Sequence, residues 1–264
     1  PFLLLGAVVT LTGCGGSSGG GGSASVPAGA ITITEANAET TVQSAVASVD
    51  SFSVLGYASA PSITAKEALE MVDQIKQSNS ATLATPTGIT DSGACTGGGT
   101  FSDTWSENGN TESGTFTATN CVEFGFTING SITYVDTYDL ITNEYTETSS
   151  GSLSLVYYNN GITISFSGLD FAETGNDMNG TYTTTKFTMA LNFTANGTTG
   201  GGFLFELTAP IVESNGDLLS CPESGSFKIT GANNTTAELI YNGDGTTTIK
   251  ANGTVVNATA PCYN

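Results

Sequence analysis

Histidine and arginine are absent from this chain of 264 residues, and five lysines stand against 24 aspartates and glutamates, for a formal net charge of −19. Without histidine, a Ser-His-Asp or Cys-His catalytic pair, a His-ligated zinc and a histidine pH switch are all excluded. Without a basic footprint, phosphates go unneutralised, which excludes nucleic acid and anionic headgroups as partners. Charged residues make up only 11% of the chain, and the acids are spread along it, as in a solubility device. The cysteines show no CxxC spacing, so a thiolate metal site is not indicated. What remains is rich in Thr, Ser, Gly and Asn, the composition of an exported β protein with a hydroxyl-covered surface.

The apolar run from Phe2 to Thr10 is about half the roughly 20 residues needed to cross a hydrocarbon core, and matches the h-region of an export signal. It closes on Leu11-Thr12-Gly13-Cys14, followed by the Gly/Ser tract Gly15 to Ser23. Leu-Thr-Gly-Cys resembles the lipobox of bacterial lipoproteins. The resemblance implies that Cys14 is acylated and becomes the first residue after cleavage. Gly15, where an Asp would act as a retention signal, implies sorting to the outer membrane. The chain starts at Pro1 without Met, Lys or Arg before the h-region, so the n-region of the signal is expected to be missing. Residues 14–30 then read as a lipidated cysteine on a flexible tether.

Two amphipathic helices are predicted over 31–80. Thr34 is a candidate N-cap for a first helix at about 35–50, with Ala38, Val42, Ala45, Val46, Val49 and Phe52 on one stripe. Thr64 and Glu67 form a capping box for a second, with Ala65, Ala68, Leu69, Val72 and Ile75 on its stripe. A Thr/Pro/Gly loop over 81–94 follows.

From Cys95 onward the period changes to two. Leu153, Leu155 and Tyr157, then Ile162, Ile164 and Phe166, then Phe187, Met189, Leu191 and Phe193, then Phe203, Phe205 and Leu207 alternate with polar or small residues, the pattern of strands with one buried face. Asn-Gly pairs at 108, 129, 160, 179, 196, 215, 242 and 252 mark hairpin turns, which also accounts for formal sequons such as Asn129-Gly130-Ser131. Cys95-x3-Gly99-Thr100-Phe101 echoes Cys221-x3-Gly225-Ser226-Phe227, a hint of two duplicated β units. An even cysteine set in an exported domain predicts disulfides, and nearest-neighbour pairing, Cys95 with Cys121 and Cys221 with Cys262, closes one unit each.

Candidate chemistry is sparse. Asn242-Gly243-Asp244-Gly245 and Glu173-Thr174-Gly175-Asn176-Asp177 carry oxygens but not the spacing of a calcium loop, and read as turns. Asp136 to Glu147 could pair carboxylates across a cleft, as glycosidases do, although spacing alone does not show this and solvated strand edges are the better reading of them. Trp105, Tyr134, Tyr138, Tyr145, Tyr158 and Tyr182 lie among polar residues and could stack on sugars or simply hold their polar tips in water.

The expected fold is therefore mainly β: a large antiparallel curved sheet, half-barrel or sandwich, over 95–264, with an N-terminal pair of amphipathic helices. The expected function is a non-enzymatic cell-envelope lipoprotein with a structural or binding role, without cofactor or metal, held to the membrane by its lipid. A helix pair against a bent one-faced sheet is also similar to the open barrel of periplasmic lipoprotein carriers, which makes a lipid or hydrophobic-ligand carrier the alternative. A carbohydrate-binding module with a glycan ligand is the third.

Overall fold

In the computed structural model the described residues are 24–50, 89–123, 125–157, 162–176, 178–195, 198–214 and 221–262. They form one helix, α1 (Ala38–Asp50), and twelve strands: β1 (Ile89–Ala94), β2 (Thr100–Asn108), β3 (Thr111–Glu123), β4 (Phe126–Asp139), β5 (Glu144–Tyr157), β6 (Ile162–Asn176), β7 (Thr181–Ala195), β8 (Thr198–Ser214), β9 (Ser224–Thr230), β10 (Thr236–Tyr241), β11 (Thr246–Ala251) and β12 (Thr254–Pro261). The strands make a single unclosed sheet in sequence order, β1 through β12, with every neighbour antiparallel.

Period-two alternation divides the sheet into two faces. Phe101, Phe116, Ile132, Leu153, Phe166, Met189, Phe205, Phe227, Leu239 and Ile249 all belong to one buried cluster on the inner face. Aromatic rings hand over from strand to strand, with centroids 6.3 Å apart for Phe171 and Phe187, 5.1 Å for Phe187 and Phe205, and 4.5 Å for Phe205 and Phe227. The outer face is covered by hydroxyl pairs across strands, among them Thr111–Thr137, Thr115–Thr133 and Thr117–Ser131. Farther along, Glu206, Lys228, Glu238 and Lys250 face one another in register across β8 to β11, and ion pairs join Lys228 to Glu206 and Lys250 to Glu238.

Both edges of the sheet are blunted against further pairing. Strand β1 is short, carries Asp91 and lacks apolar alternation, while β12 pairs with β11 through two register shifts. Each edge is also stapled. Cys95, just after β1, bonds Cys121 of β3, and Cys221, before β9, bonds Cys262 after β12.

Residues 24–34 form a strap across the strands, with one turn at 28–29. Ala24 packs against Gly168 of β6 and Pro27 against Gly202 of β8. Ile31 N–H donates to the Gly202 carbonyl, Ala232 N–H donates to the Ile31 carbonyl, and Ile33 N–H donates to Thr235 Oγ1. The chain then turns into α1, which lies on β10, β11 and β12 and buries Ala38, Thr41, Val42, Ala45 and Val46.

Several sequence expectations are corrected here. The stretch at 24–30 is docked strap rather than free tether, because its glycine partners let the backbones approach. Residues 31–34 are likewise strap, and the helix proper starts at Ala38, a few residues later than expected; the Thr34 carbonyl accepts from the N–H groups of Asn37 and Ala38, and Thr34 N–H donates to Asn37 Oδ1, so Thr34 does occupy the cap. One helix therefore stands among the described residues in place of a pair; the second, at 64–77, falls outside them. The sheet begins at Ile89 rather than Cys95, since β1 is recognisable only by its pairing with β2.

Asn129-Gly130 lies inside β4, not at a turn. Gly130 has φ 127°, and a Cβ there would come within 2.2 Å of the Ser152 carbonyl oxygen of β5, so glycine serves close strand approach. Asn252-Gly253 does form the β11–β12 turn, so the two echoing segments diverge in structure, within one continuous sheet. Glu173 to Asn176 is strand β6 rather than a turn.

The disulfides close loops of 26 and 41 residues. Removing either by paired Cys→Ser substitution is expected to cost about 3 to 4 kcal/mol in urea unfolding. Cys95 and Cys121 are buried whereas Cys221 and Cys262 are half-buried, so thiol trapping under mild reductant should label Cys221 and Cys262 first.

Candidate functional site

The inner face changes character along its strands. Toward the end formed by the β2–β3, β4–β5 and β6–β7 turns, the phenylalanine rows give way to acids and tyrosines. Glu107, Glu112, Asp136, Glu147 and Glu173 occupy one register row across β2, β3, β4, β5 and β6, and Thr184 of β7 continues it. One row deeper lie Trp105, Gly114, Tyr134 and Ser149. The next row outward holds Tyr138, Tyr145, Gly175, Tyr182 and Glu213.

Like charges directly opposite one another destabilise a sheet, and hydroxyl donors offset this. Tyr145 Oη donates to Glu173 Oε1 at 2.5 Å and Thr184 Oγ1 donates to Glu173 Oε2 at 3.0 Å. Deeper in, the buried carboxylate of Asp103 lies 3.3 and 3.2 Å from the Tyr134 hydroxyl, which donates to it. Two glycines make room for the rings: a Cβ on Gly114 would strike the Tyr134 ring, and one on Gly175 would strike Tyr145 and Tyr182.

Burial, and then the neighbouring carboxylates, hold the phenols of both tyrosines protonated. Desolvation followed by Asp103 and Glu112 pushes Tyr134 well above the ordinary tyrosine value, and desolvation followed by Glu173 does the same for Tyr145. A protonated phenol is the donor that the carboxylates need.

The structure thus brings together Trp105, Tyr134, Asp136, Tyr138, Tyr145, Glu147 and Tyr182 from the sequence candidates; Tyr158 is outside the described residues. Asp103, Glu107, Glu112, Glu173 and Glu213 were missed as members of the site. Their signal was parity: each lies an even number of residues from an inner-face phenylalanine, leucine or tyrosine in its own strand.

The arrangement limits the chemistry. Neighbouring acids in a row have Cβ atoms about 5 Å apart, near the spacing of a glycosidase pair, but Glu173 is already engaged at both oxygens. Tyr145 and Tyr182 meet at 46° with centroids 5.9 Å apart, which is not the coplanar platform a sugar ring needs. Among the described residues, no group of three or more His, Cys, Asp or Glu could hold a metal ion. The calcium candidate at Asp244 is a β10–β11 turn in which Asp244 Oδ1 accepts from Thr246 N–H and Oγ1. A groove of about 320 Å³ between β1, β2 and β3 is lined by Ser92, Gly93, Thr100, Ser102 and Thr117, with no charged group.

The raised phenols set a pH dependence. Unfolded tyrosine ionises near 10.0 while folded Tyr134 and Tyr145 resist, so the folded state keeps protons that the unfolded state loses. The tyrosine contribution to stability is expected to be level below pH 10 and to be lost above it, and Tyr134→Phe with Tyr145→Phe should flatten that alkaline fall in urea titrations. The chain matches no family model, no curated protein and no solved structure.

Proposed function

We propose that this chain is a non-enzymatic cell-envelope lipoprotein, anchored through Cys14 in the outer membrane and carrying its β domain as a structural or binding module. The single observation that carries the reading is the Leu11-Thr12-Gly13-Cys14 tetrad between an apolar run and a Gly/Ser tract. The strap adds support: the chain is docked from Ala24 onward, which leaves a short polar tether after Cys14. An acylated cysteine with several chains anchors stably, each buried methylene contributing roughly 0.8 kcal/mol.

For the sheet we infer a half-barrel, since twelve twisted strands in one layer bury a single inner face and strongly twisted open sheets of this width curl. The phenylalanine contacts fill that face with the protein's own side chains, which favours a scaffold over a lipid carrier. The tilt of Tyr145 against Tyr182 disfavours a glycan platform. The hydroxyl network around Glu173 and Asp103 favours structural carboxylates over an acid–base pair.

In membrane fractions, intact-mass analysis is expected to find a chain beginning at an acylated Cys14, and Cys14→Ser should abolish the modification and release the protein. A free thiol at Cys14 on a soluble mature chain would overturn the anchor. Release of reducing ends from envelope polysaccharides, lost on Glu173→Gln, would overturn the non-enzymatic reading.

A further inference from the structure

Among the described residues, the large apolar side chains that face solvent most openly are Leu140, Ile141 and Met178, at 76%, 91% and 81% exposure. Two of them tip the β4–β5 hairpin and the third tips the β6–β7 hairpin. The tips are neighbours in space. Asn176 Nδ2 donates to the Thr142 carbonyl at 2.9 Å, and Asn143 Nδ2 lies 4.0 Å from Met178 Sδ. Scattered exposed apolar residues are ordinary, but three gathered on adjacent hairpin ends form a patch.

That patch is built without burying any apolar group. Asp139 Oδ1 accepts from the N–H groups of Ile141 and Thr142, and Asn176 Oδ1 accepts from those of Met178 and Asn179. The two backbone donors hold the Asp139 carboxyl below its ordinary range, so the turn keeps its charged acceptor. Polar side chains thus fix the turns while the apolar ones are left pointing outward. Behind them stand Tyr138, Tyr145 and Tyr182 in a single row, half-buried, with the amphipathic character of a membrane-interface belt.

We propose that the paired tips of the β4–β5 and β6–β7 hairpins dock into the interface of a zwitterionic lipid bilayer. The acids of this end of the sheet, Asp139 and Glu144 beside the tip and the carboxylate row behind it, repel anionic headgroups, and no described lysine sits there to offset them: Lys186, Lys228 and Lys250 lie farther along the strands, in ion pairs with acids. Chain length agrees. From Gly168, where Ala24 is docked, β6 runs eight residues to Asn176, about 26 Å. The ten steps from Cys14 to Ala24 reach about 33 to 36 Å when extended. Lipid and tip can therefore meet one bilayer surface, a clause that rests on the lipidation of Cys14; the docking itself does not.

The test uses the full chain carrying Cys14→Ser, so that no acyl group contributes, with Trp105→Phe and Ile141→Trp to leave one reporter at the tip. Mixed with phosphatidylcholine vesicles, its emission is expected to shift to shorter wavelength and to be quenched by lipids brominated on the acyl chains. Quenching at residue 141 reports the tip whatever else holds the chain to the vesicle. Adding Leu140→Ser and Met178→Ser should weaken the tip signal about tenfold or more, and phosphatidylglycerol in the vesicles should weaken it too. Unchanged emission at saturating lipid, or quenching indifferent to Leu140→Ser and Met178→Ser, would overturn the proposal. Tip-dependent dimerisation without lipid quenching would overturn it in favour of a second copy of the chain.

Discussion

Antiparallel register is the constraint on which the rest of this structure depends. Because side chains alternate with period two, fixing one pair fixes the face of every residue in both strands. Phe116 at 0% exposure and Ile132 at 2% sit opposite each other, and that pairing commits Glu112 and Asp136 to the same inner face. The apolar core and the acidic row are thus two stretches of one pattern. Where the pattern must adjust, bulges do so, as between Ser167 and Asp170 and between Thr184 and Thr188.

A chain with net charge −19 must still avoid self-repulsion, and it does so differently on the two faces. Outside, the three described lysines form ion pairs with Asp170, Glu206 and Glu238. Such exposed pairs contribute little to stability individually, but Glu206, Lys228, Glu238 and Lys250 alternate in sign across β8 to β11 and so agree with the register. Inside, the described residues include no lysine and phenols stand in its place. Tyr134 and Tyr145 donate to Asp103 and Glu173 without bringing a positive charge, and partial burial keeps those phenols protonated.

Size and topology put the load on local pairing. Each strand contacts the next in sequence, so the sheet has no central crossover, and its two edges are closed by short β1, bulged β12 and the disulfides. The strap and α1 supply what the strands lack, a cover over β10 to β12 that begins near the tether. On β6 the strap crosses at Gly168, eight residues from the tip end at Asn176.

Much of this was legible in the sequence. Alternation over Ile162 to Phe166 and Phe187 to Leu191 and the Asn-Gly turns at 108, 179, 242 and 252 follow from rules that act within a hairpin, and nearest-neighbour cysteine pairing from the even count and spacing of the cysteines. The α1 stripe at Ala38, Val42, Ala45 and Val46 was equally plain, being local in period. What sequence left open was non-local. Strand β1 has no pattern of its own and exists because β2 offers an edge. Gly130 looks like a turn residue and is a point of close strand approach, a distinction made only by Ser152 from β5. The strap reads as linker until Gly168, Gly202 and Gly231 give it a track. Glu107, Glu112, Asp136, Glu147 and Glu173 are distributed over 67 positions of chain and become a row only through four successive registers. Period and composition decide which face a residue takes within its strand; which residues then stand beside it is decided by the pairing of strands, and that is a property of the sheet as a whole.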